Sequence, residues 1–250
     1  MRGSRPAVIV YRDTMDSALC FTNSLIDDIN RDFFTADRYQ YIIDGLKVTI
    51  EVTLIGLLIG LLLGVIFGAI TSLHQINGKL KIPNVICNFY ITVIRGTPTT
   101  IQLLIIYFVV FASIALNQVI IAGIAFGLNS AAYIAEIMRA GIGSVPKGQF
   151  EASYSLGLST DVTMTSVVLP QAFRNILPAL CNEGITLLKE TSICGYIGLM
   201  DLTRAGNIIR AQTFDAFLPL FAVALIYLII VLILSYLVKR LERRLGANAI

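Results

Sequence analysis

Long blocks of apolar residues alternate with short polar links along most of the chain. A block of about 20 apolar residues is long enough to cross the hydrocarbon core of a bilayer as a helix. The pattern therefore predicts an all-α polytopic membrane protein with about five transmembrane helices. The predicted spans cover approximately 48–73, 100–116, 119–138, 172–197 and 217–238.

A helix break is predicted just before the second of these spans. Pro98 disfavours the helical conformation at Thr97, and Gly96 precedes both. The apolar residues from Val85 onward therefore predict a short helix to about Ile94, a break, and then the spanning helix.

Within the first predicted span, glycine recurs at every fourth position. Residues four apart lie on one side of a helix, and lipid provides little hydrophobic force to join helices. Because glycine lets two helix backbones approach closely, this row predicts a packing surface. Its members are Gly56, Gly60, Gly64 and Gly68.

Composition supports the membrane interpretation and excludes several functions. Charged residues make up 14% of the 250 residues, against about 25% in a typical soluble protein. The formal net charge of +3 suits an anionic membrane surface but is too small to indicate a nucleic-acid partner. The four cysteines have no metal-binding spacing and His74 is the one histidine, so neither a metal site nor a catalytic residue is predicted.

Three regions follow from these patterns: an N-terminal extension over 1–47, a transmembrane domain over 48–238 and a tail over 239–250. The extension is predicted to form an interfacial amphipathic helix or to be partly disordered, and the two interpretations stay open. Its apolar residues at helical spacing are Leu19, Phe21, Leu25, Ile26, Ile29, Phe33 and Phe34.

The orientation in the membrane is predicted from the Lys and Arg residues in the links between spans. They place 144–170 and the tail in the cytoplasm and the N-terminus outside.

The polar segment between the third and fourth predicted spans carries helix start and stop signals. Pro146 suits the first turn of a helix, and Gly157 suits its end. Ser159 or Thr160 can cap a second helix, which is predicted to stop near Pro170. Such a hairpin needs a protein surface to lie against. The plainer interpretation, a solvated loop, has no need of two capped helices.

This hairpin contains Glu151-Ala152-Ser153, then Gly157, then Val167-Val168-Leu169-Pro170. The arrangement resembles the cytoplasmic signature of the membrane subunits of bacterial ABC importers: Glu-Ala-Ala, three residues, Gly, nine residues, Ile-x-Leu-Pro. Ser153 and Val167 are small departures from it. The resemblance extends to about 40–245, and within it four stretches are similar to the polar-amino-acid subgroup: RGTPTTIQLLIIYF, LNSAAYIAEIMRAGI, LPQAFRN and NEGITLLKETS.

The resemblance implies the fold of type I importers and a permease subunit that moves a polar or charged amino acid across the bacterial plasma membrane. It implies as partners two ATP-binding cassette subunits, a second permease subunit and an extracytoplasmic amino-acid-binding protein. ATP and Mg²⁺ would be bound by the ATPase subunits and no cofactor by this chain, which agrees with the lack of a GxxxxGK[ST] motif. The hairpin would be the coupling helix, and its candidate contacts are Glu151, Ala152, Ser155, Gly157, Leu158 and Ser159.

Charged side chains within spans are costly and usually have a function. An amino-acid zwitterion needs an acceptor for its ammonium group, which Glu183 or Glu190 could provide, and donors for its carboxylate. Structural pairing between membrane charges is an equally open interpretation. Arg95 is expected to anchor the helix break rather than to bind substrate. The candidate pathway residues are Asn129, Ser130, Tyr133, Glu136, Asn182, Glu183, Lys189, Glu190 and Thr191.

The alternative function is a self-contained secondary transporter or channel. It would need an internal repeat or a ring of charged residues around a pore, and the sequence contains neither. A membrane-embedded hydrolase is disfavoured because no HExxH or GxSxG motif occurs.

Overall fold

The chain forms helices where the apolar blocks predict them. The computed structural model describes Ser24 and residues 26–246, and these contain helices and no strand, so the all-α prediction is confirmed. The α-helices are α1 (Tyr39–Asn77), α2 (Lys81–Arg95), α3 (Thr99–Ile105), α4 (Gln118–Gly143), α5 (Lys147–Ser155), α6 (Thr160–Val162), α7 (Leu169–Glu190), α8 (Leu202–Thr213) and α9 (Phe217–Gly246). Wider or tighter helical turns lie at Asn30–Phe34, Thr35–Asp37, Ile106–Val110, Thr163–Val168 and Thr191–Ile197.

Within the described residues, three helices are long and apolar enough to cross a membrane: α1, α4 and α9. The predicted break is present, because α2 and the helix after it meet at an angle of 107° and together form a fourth candidate span. The remaining predicted span, α7, is less apolar, since it carries Arg174, Glu183, Lys189 and Glu190. The number of five spans therefore stays a prediction.

The first and second spans differ in length from the prediction. α1 begins at Tyr39 rather than at about Val48, because the polar residues at its start are compatible with a helix although they interrupt the apolar pattern. The helix after the break is shorter than predicted and ends at Val110 instead of about Leu116. Its end leaves room for a link in which Asn117 caps the start of α4.

The fourth predicted span changes its helical geometry near its end. It was expected to continue as one helix to about Ile197, whereas the α-helix ends at Glu190 and a 3₁₀-helix follows over Thr191–Ile197. Gly198 then ends the 3₁₀-helix with φ of +84°, a conformation that glycine adopts at little cost.

The predicted hairpin is present, but its second helix does not stop near Pro170. The Ser159 hydroxyl accepts the Val162 N–H at 3.4 Å and so caps this helix, which continues through a π-helical turn into α7. In that turn the Leu169 N–H bonds to the Met164 carbonyl, five residues back. The wider turn accommodates the ring and the missing N–H of Pro170. Pro146 lies just before α5 rather than in its first turn.

The predicted glycine row packs against α4, so the packing interpretation is confirmed. A Cβ atom added at these glycines would lie 2.5–3.2 Å from side-chain atoms of α4, which is closer than most real Cβ contacts. α4 carries glycines of its own at this surface, Gly123 and Gly127, which face Ile55 and Ile59 of α1. The contacts from α1 to α4 are Gly56 to Phe126, Gly60 to Ser130, Gly64 to Ile134 and Gly68 to Met138. Since both sets of numbers increase together, the two helices run parallel.

The hairpin lies at the end of the bundle where α4 finishes, which we call the hairpin end. At the opposite end, the residues before α1 pack against the end of α8. Arg31 forms ion pairs with buried Asp32 at 2.9 Å and with Asp215 at 3.3 Å, and Arg38 donates to the side chain of Gln212 at 3.0 Å. The predicted interfacial helix includes Leu19, Phe21 and Leu25, which lie outside the described residues, and it stays a prediction.

Replacement of Gly64 by alanine should loosen the contact between α1 and α4. A Cβ there would lie 2.6 Å from Cβ and Cγ2 of Ile134 and 2.9 Å from the Ala131 carbonyl, and a β-branched side chain cannot swing away. Overpacking costs about 1–3 kcal/mol, which exceeds the gain in helix propensity of about 1 kcal/mol. We expect a lower midpoint of thermal unfolding in detergent.

Gly143→Ala is the matched control, because Gly143 is also in a helix but has no atom within 4 Å of its Cβ position. Its unfolding midpoint should be unchanged or slightly higher. Equal midpoints for Gly64→Ala and wild type would contradict the close packing.

Candidate functional site

A polar cleft opens at the hairpin end between α1, α2 and α4. Its volume is about 770 Å³. Most of its lining side chains are polar or charged, although all three helices also have large apolar surfaces. The lining residues are Thr71, His74, Gln75, Asn84, Asn88, Ile91, Thr92, Arg95, Gly96, Tyr133, Glu136 and Arg139. A cleft with this lining can hold water or a polar solute between the helices of the bundle.

Glu136 connects two arginines across the polar cleft. Its carboxylate accepts from Nε of Arg139 at 3.1 Å and pairs with Nη2 of the same side chain. Its other oxygen lies 3.6 Å from Nη1 of Arg95. The Arg95 guanidinium also lies 5.5 Å from the centre of the Tyr133 ring, where a cation is attracted to the ring face. Arg95 is the last residue of α2, so these contacts attach the helix break to α4.

A smaller cavity of about 320 Å³ adjoins this network, and we call it the charged cavity. It is lined by Arg95, Tyr133, Glu136, Ile137, Ala140 and Glu183. The Ser130 hydroxyl donates to the Glu183 carboxylate at 2.8 Å, which fixes one of its oxygens. A cation from α2 and a carboxylate from α7 thus line the same small volume. This arrangement can accept a ligand that carries both charges.

Asn129 lies beside the helix break rather than in either cavity lining. Its amide donates to Oε1 of Gln102 at 2.9 Å. The Gln102 amide in turn donates to the carbonyls of Ile94 at 2.7 Å and Thr97 at 3.1 Å. Carbonyls freed by the break are therefore satisfied by a buried side chain. Gln102 is not among the residues predicted from the sequence. Its signal was a polar side chain among the apolar residues that directly follow the break.

The hairpin presents most of its candidate contact residues on its surface. Glu151, Ala152, Ser155, Gly157 and Ser159 are exposed, and Leu158 is half-buried. Gly157 has φ of +77°, so only glycine adopts this turn without strain. Ser153, where the signature has alanine, is buried and donates to the Gln149 carbonyl at 2.7 Å, so the hydroxyl is satisfied within its own helix.

Two large side chains at the hairpin tip were also missed by sequence reasoning. Leu156 is 80% exposed and Tyr154 is 45% exposed. Both side chains are therefore accessible to another protein. The available signal was the position of Leu156 directly before the turn glycine.

Most of the chain matches the sequence model of one protein family. The model described as the binding-protein-dependent transport system inner membrane component matches residues 46–247. The chain belongs to this family. The predicted resemblance to permease subunits of ABC importers is therefore confirmed, and the chain is the permease component of such a transporter.

Relatives of this permease are similar over most of their length. A putative glutamine transport system permease protein of Rickettsia felis is 39% identical over 210 residues, which is 83% of this chain and 94% of that protein. An arginine transport system permease protein of Bacillus subtilis is 40% identical over 223 residues, which is 88% of this chain and 100% of that protein.

Solved structures support the predicted type I importer fold of the permease. The crystal structure of an amino acid ABC transporter with histidines has a TM-score of 0.76 at 39% identity, and it covers 85% of this chain and 98% of that one. An inward-facing methionine ABC transporter has a TM-score of 0.68 at 20% identity over 83% of this chain and 97% of that one. This second likeness shows the fold alone.

The remaining pathway candidates of the permease are not brought to either cavity lining. Asn182 and Lys189 are exposed on α7, and Glu190 is half-buried. Thr191 is fully buried and donates to the Leu188 carbonyl at 2.8 Å. Tyr133, Glu136 and Glu183 do line a cavity, and Ser130 binds Glu183. The roles of all nine residues in transport stay predictions.

Replacement of Glu136 by glutamine should reduce the stability of the permease. Arg95 and Arg139 would then lie close together without a carboxylate between them. All three side chains are partly exposed, so each pair contributes about 1 kcal/mol or less. We expect a lower midpoint of thermal unfolding for Glu136→Gln, and a partial recovery when Arg139→Gln is added.

The control is Asp44→Asn, which breaks the exposed Lys47–Asp44 pair and should leave the midpoint unchanged. If the double variant Glu136→Gln/Arg139→Gln is no more stable than Glu136→Gln alone, repulsion between the arginines is not the cause.

Proposed function

We propose that this permease carries a polar or charged amino acid, and that the charged cavity is part of its pathway. The observation that carries the proposal is the placement of Arg95 and Glu183 on the lining of one cavity. A free amino acid bears an ammonium and a carboxylate, and charge-assisted hydrogen bonds to both would orient it. The names of the relatives, glutamine and arginine permeases, support the amino-acid class.

Glu183 is the proposed acceptor for the substrate ammonium. It is half-buried, and of the ionic contacts formed by the described residues none joins it to a cation. Glu136 differs, because two arginines already compensate it. We therefore assign Glu136 to the support of Arg95, and Arg95 to the substrate carboxylate. This assignment changes the role expected for Arg95 from the sequence.

We propose that the hairpin end lies in the cytoplasm and the opposite end outside. Basic residues are concentrated in the links and tail at the hairpin end, as the positive-inside rule requires. Arg31 at the opposite end is compensated by Asp28, Asp32 and Asp215, so it adds little positive charge there. In this orientation the polar cleft opens toward the cytoplasm, where substrate would leave.

We propose that the exposed hairpin docks on a separate ATPase subunit, two copies of which would bind ATP and Mg²⁺. A second permease subunit and an extracytoplasmic binding protein would complete the importer. The hairpin suits a docking role because one side of it packs on the bundle and the other side is exposed. Ile142, Val145, Val168, Ala172 and Ile176 form the buried cluster that holds it to α4 and α7.

Glu183→Gln should impair uptake without loss of assembly. A hydrogen bond to a charged partner contributes about 1.5–3 kcal/mol, so its loss predicts at least about a tenfold reduction in uptake rate. The measurement is uptake of radiolabelled glutamine and arginine by proteoliposomes that contain the full importer. Glu242→Gln, at an exposed carboxylate on α9, is the control and should transport normally. Wild-type uptake by Glu183→Gln would reject the assignment.

Gly157→Arg should abolish co-purification of the ATPase subunit while the permease stays in the membrane. The change strains the turn and places a long side chain on the docking surface. Gly78→Arg is the matched control, because Gly78 also has positive φ, +66°, and also has no atom within 4 Å of its Cβ position. Since Gly78 lies outside the hairpin, this variant should retain the ATPase. Retention by both variants would contradict docking at the hairpin.

A further inference from the structure

An apolar groove of about 510 Å³ runs between α1, α7 and α9 on the outside of the bundle. Its lining is almost entirely aliphatic. The one hydroxyl in it, that of Thr53, donates to the Thr49 carbonyl at 2.7 Å, so Thr53 offers its methyl group to the groove. Representative lining residues are Leu54 and Leu57 of α1, Ile185 of α7, and Ile230, Leu234 and Leu241 of α9.

The length of the groove matches one leaflet of a bilayer. Its lining on α9 extends from Ile230 to Leu241, which corresponds to about 16 Å of helix at 1.5 Å per residue. The hydrocarbon core of a bilayer is about 30 Å thick, so one leaflet contributes about 15 Å. The groove can therefore accommodate an extended acyl chain along its length.

A cluster of cations lies where the groove reaches the end of α9. Four of the six residues from Lys239 to Arg244 are basic and exposed, and Glu242 is the one acid among them. Leu237 and Leu241 line the groove, and Arg240 and Arg244 each follow one of them by three residues. Side chains three apart on a helix are neighbours. Arg240 and Arg244 therefore project beside the mouth of the groove.

These cations are not compensated by ion pairs within the described part of the chain. The ion pairs found there use Arg31, Lys47, Arg95 and Arg139 instead. Four or more Lys and Arg residues directly beyond a membrane span are typical of binding to anionic lipid headgroups. An uncompensated cluster of this kind attracts a permanent anion.

We propose that the groove and the cation cluster form one binding site for an anionic phospholipid. One acyl chain lies in the groove along α9, and the headgroup phosphate binds Arg240 and Arg244 at its mouth. A second copy of this chain is a poorer occupant, because a symmetric contact at the groove would bring two sets of cations together. The site is separate from the polar cleft, since no residue lines both.

The test is lipid retention by the full-length permease, purified in detergent and exchanged into vesicle lipid of either phosphatidylglycerol or phosphatidylcholine. Native mass spectrometry then counts the lipids that survive delipidation. We expect wild type to retain phosphatidylglycerol, and the variant Arg240→Gln/Arg244→Gln to bind it roughly thirtyfold more weakly. Arg240→Lys/Arg244→Lys keeps the charge and should retain the lipid, which shows that a loss is not due to misfolding.

Two further variants distinguish a specific lipid-binding site from non-specific electrostatic attraction of anionic lipid. Lys79→Gln/Lys81→Gln removes one charge from the link between α1 and α2 and one from the first residue of α2, and it should leave retention unchanged. Gly184→Leu places a side chain in the groove, where a Cβ would lie 3.4 Å from Leu57, and should displace the lipid although every cation remains. Equal losses in both charge-removal variants, or full retention in Gly184→Leu, would overturn the proposal. A change of oligomeric state in Gly184→Leu with no loss of lipid would assign the groove to a second subunit instead.

Discussion

The close approach of α1 to α4 is the constraint on which the rest of the bundle depends. Where the two helices come this near, one of each pair of facing residues has to lack a Cβ atom, and glycines of α1 or α4 occupy those positions. Lipid exerts almost no hydrophobic force between helices, so dispersion contacts between closely packed backbones supply much of the association. The contact also fixes the rotation of each helix about its own axis, because a rotated helix would place a side chain where only glycine fits. The remaining faces of α4 are thereby aimed at α2 and α7.

The same contact determines where the charged side chains meet. Ser130 packs against Gly60 and donates to Glu183 at 2.8 Å, so one residue belongs to both the packing surface and the charged cavity. Six residues further along α4, Glu136 reaches Arg95 and Arg139. The position of each charge therefore follows from the rotation of α4, which follows from the glycines. A substitution at the contact between α1 and α4 can therefore alter the charged cavity by changing the rotation of α4, even though it contacts no substrate.

Several features of the fold could be predicted from the sequence because each depends on residues that are close together in the chain. The glycine row, the helix break before Pro98 and the cap at Ser159 each depend on neighbours within a few residues, and each was found. The association of Arg95 with Glu136, and of Gln102 with Asn129, could not be predicted. These pairs are far apart in the chain and meet through the tertiary packing of separate helices. The prediction of a helix end near Pro170 was wrong for another reason. The helix continues there through a π-helical turn, which has no distinct sequence pattern.

The continuity of the hairpin with α7 has a mechanical consequence for the charged cavity. No loop separates α6 from α7, and Gly141 of α4 lies so close to Ile176 that a Cβ there would meet its Cγ1 at 2.2 Å. We infer that a force on the hairpin moves α7 as one body near this contact rather than being absorbed in a flexible link. Glu183 lies two turns beyond Ile176 on α7, whereas Arg95 is held to α4 through Glu136. Motion of α7 relative to α4 would therefore change the separation of the two charges proposed to bind the substrate. Such a change is the differential affinity that a ligand needs in order to couple to a conformational transition.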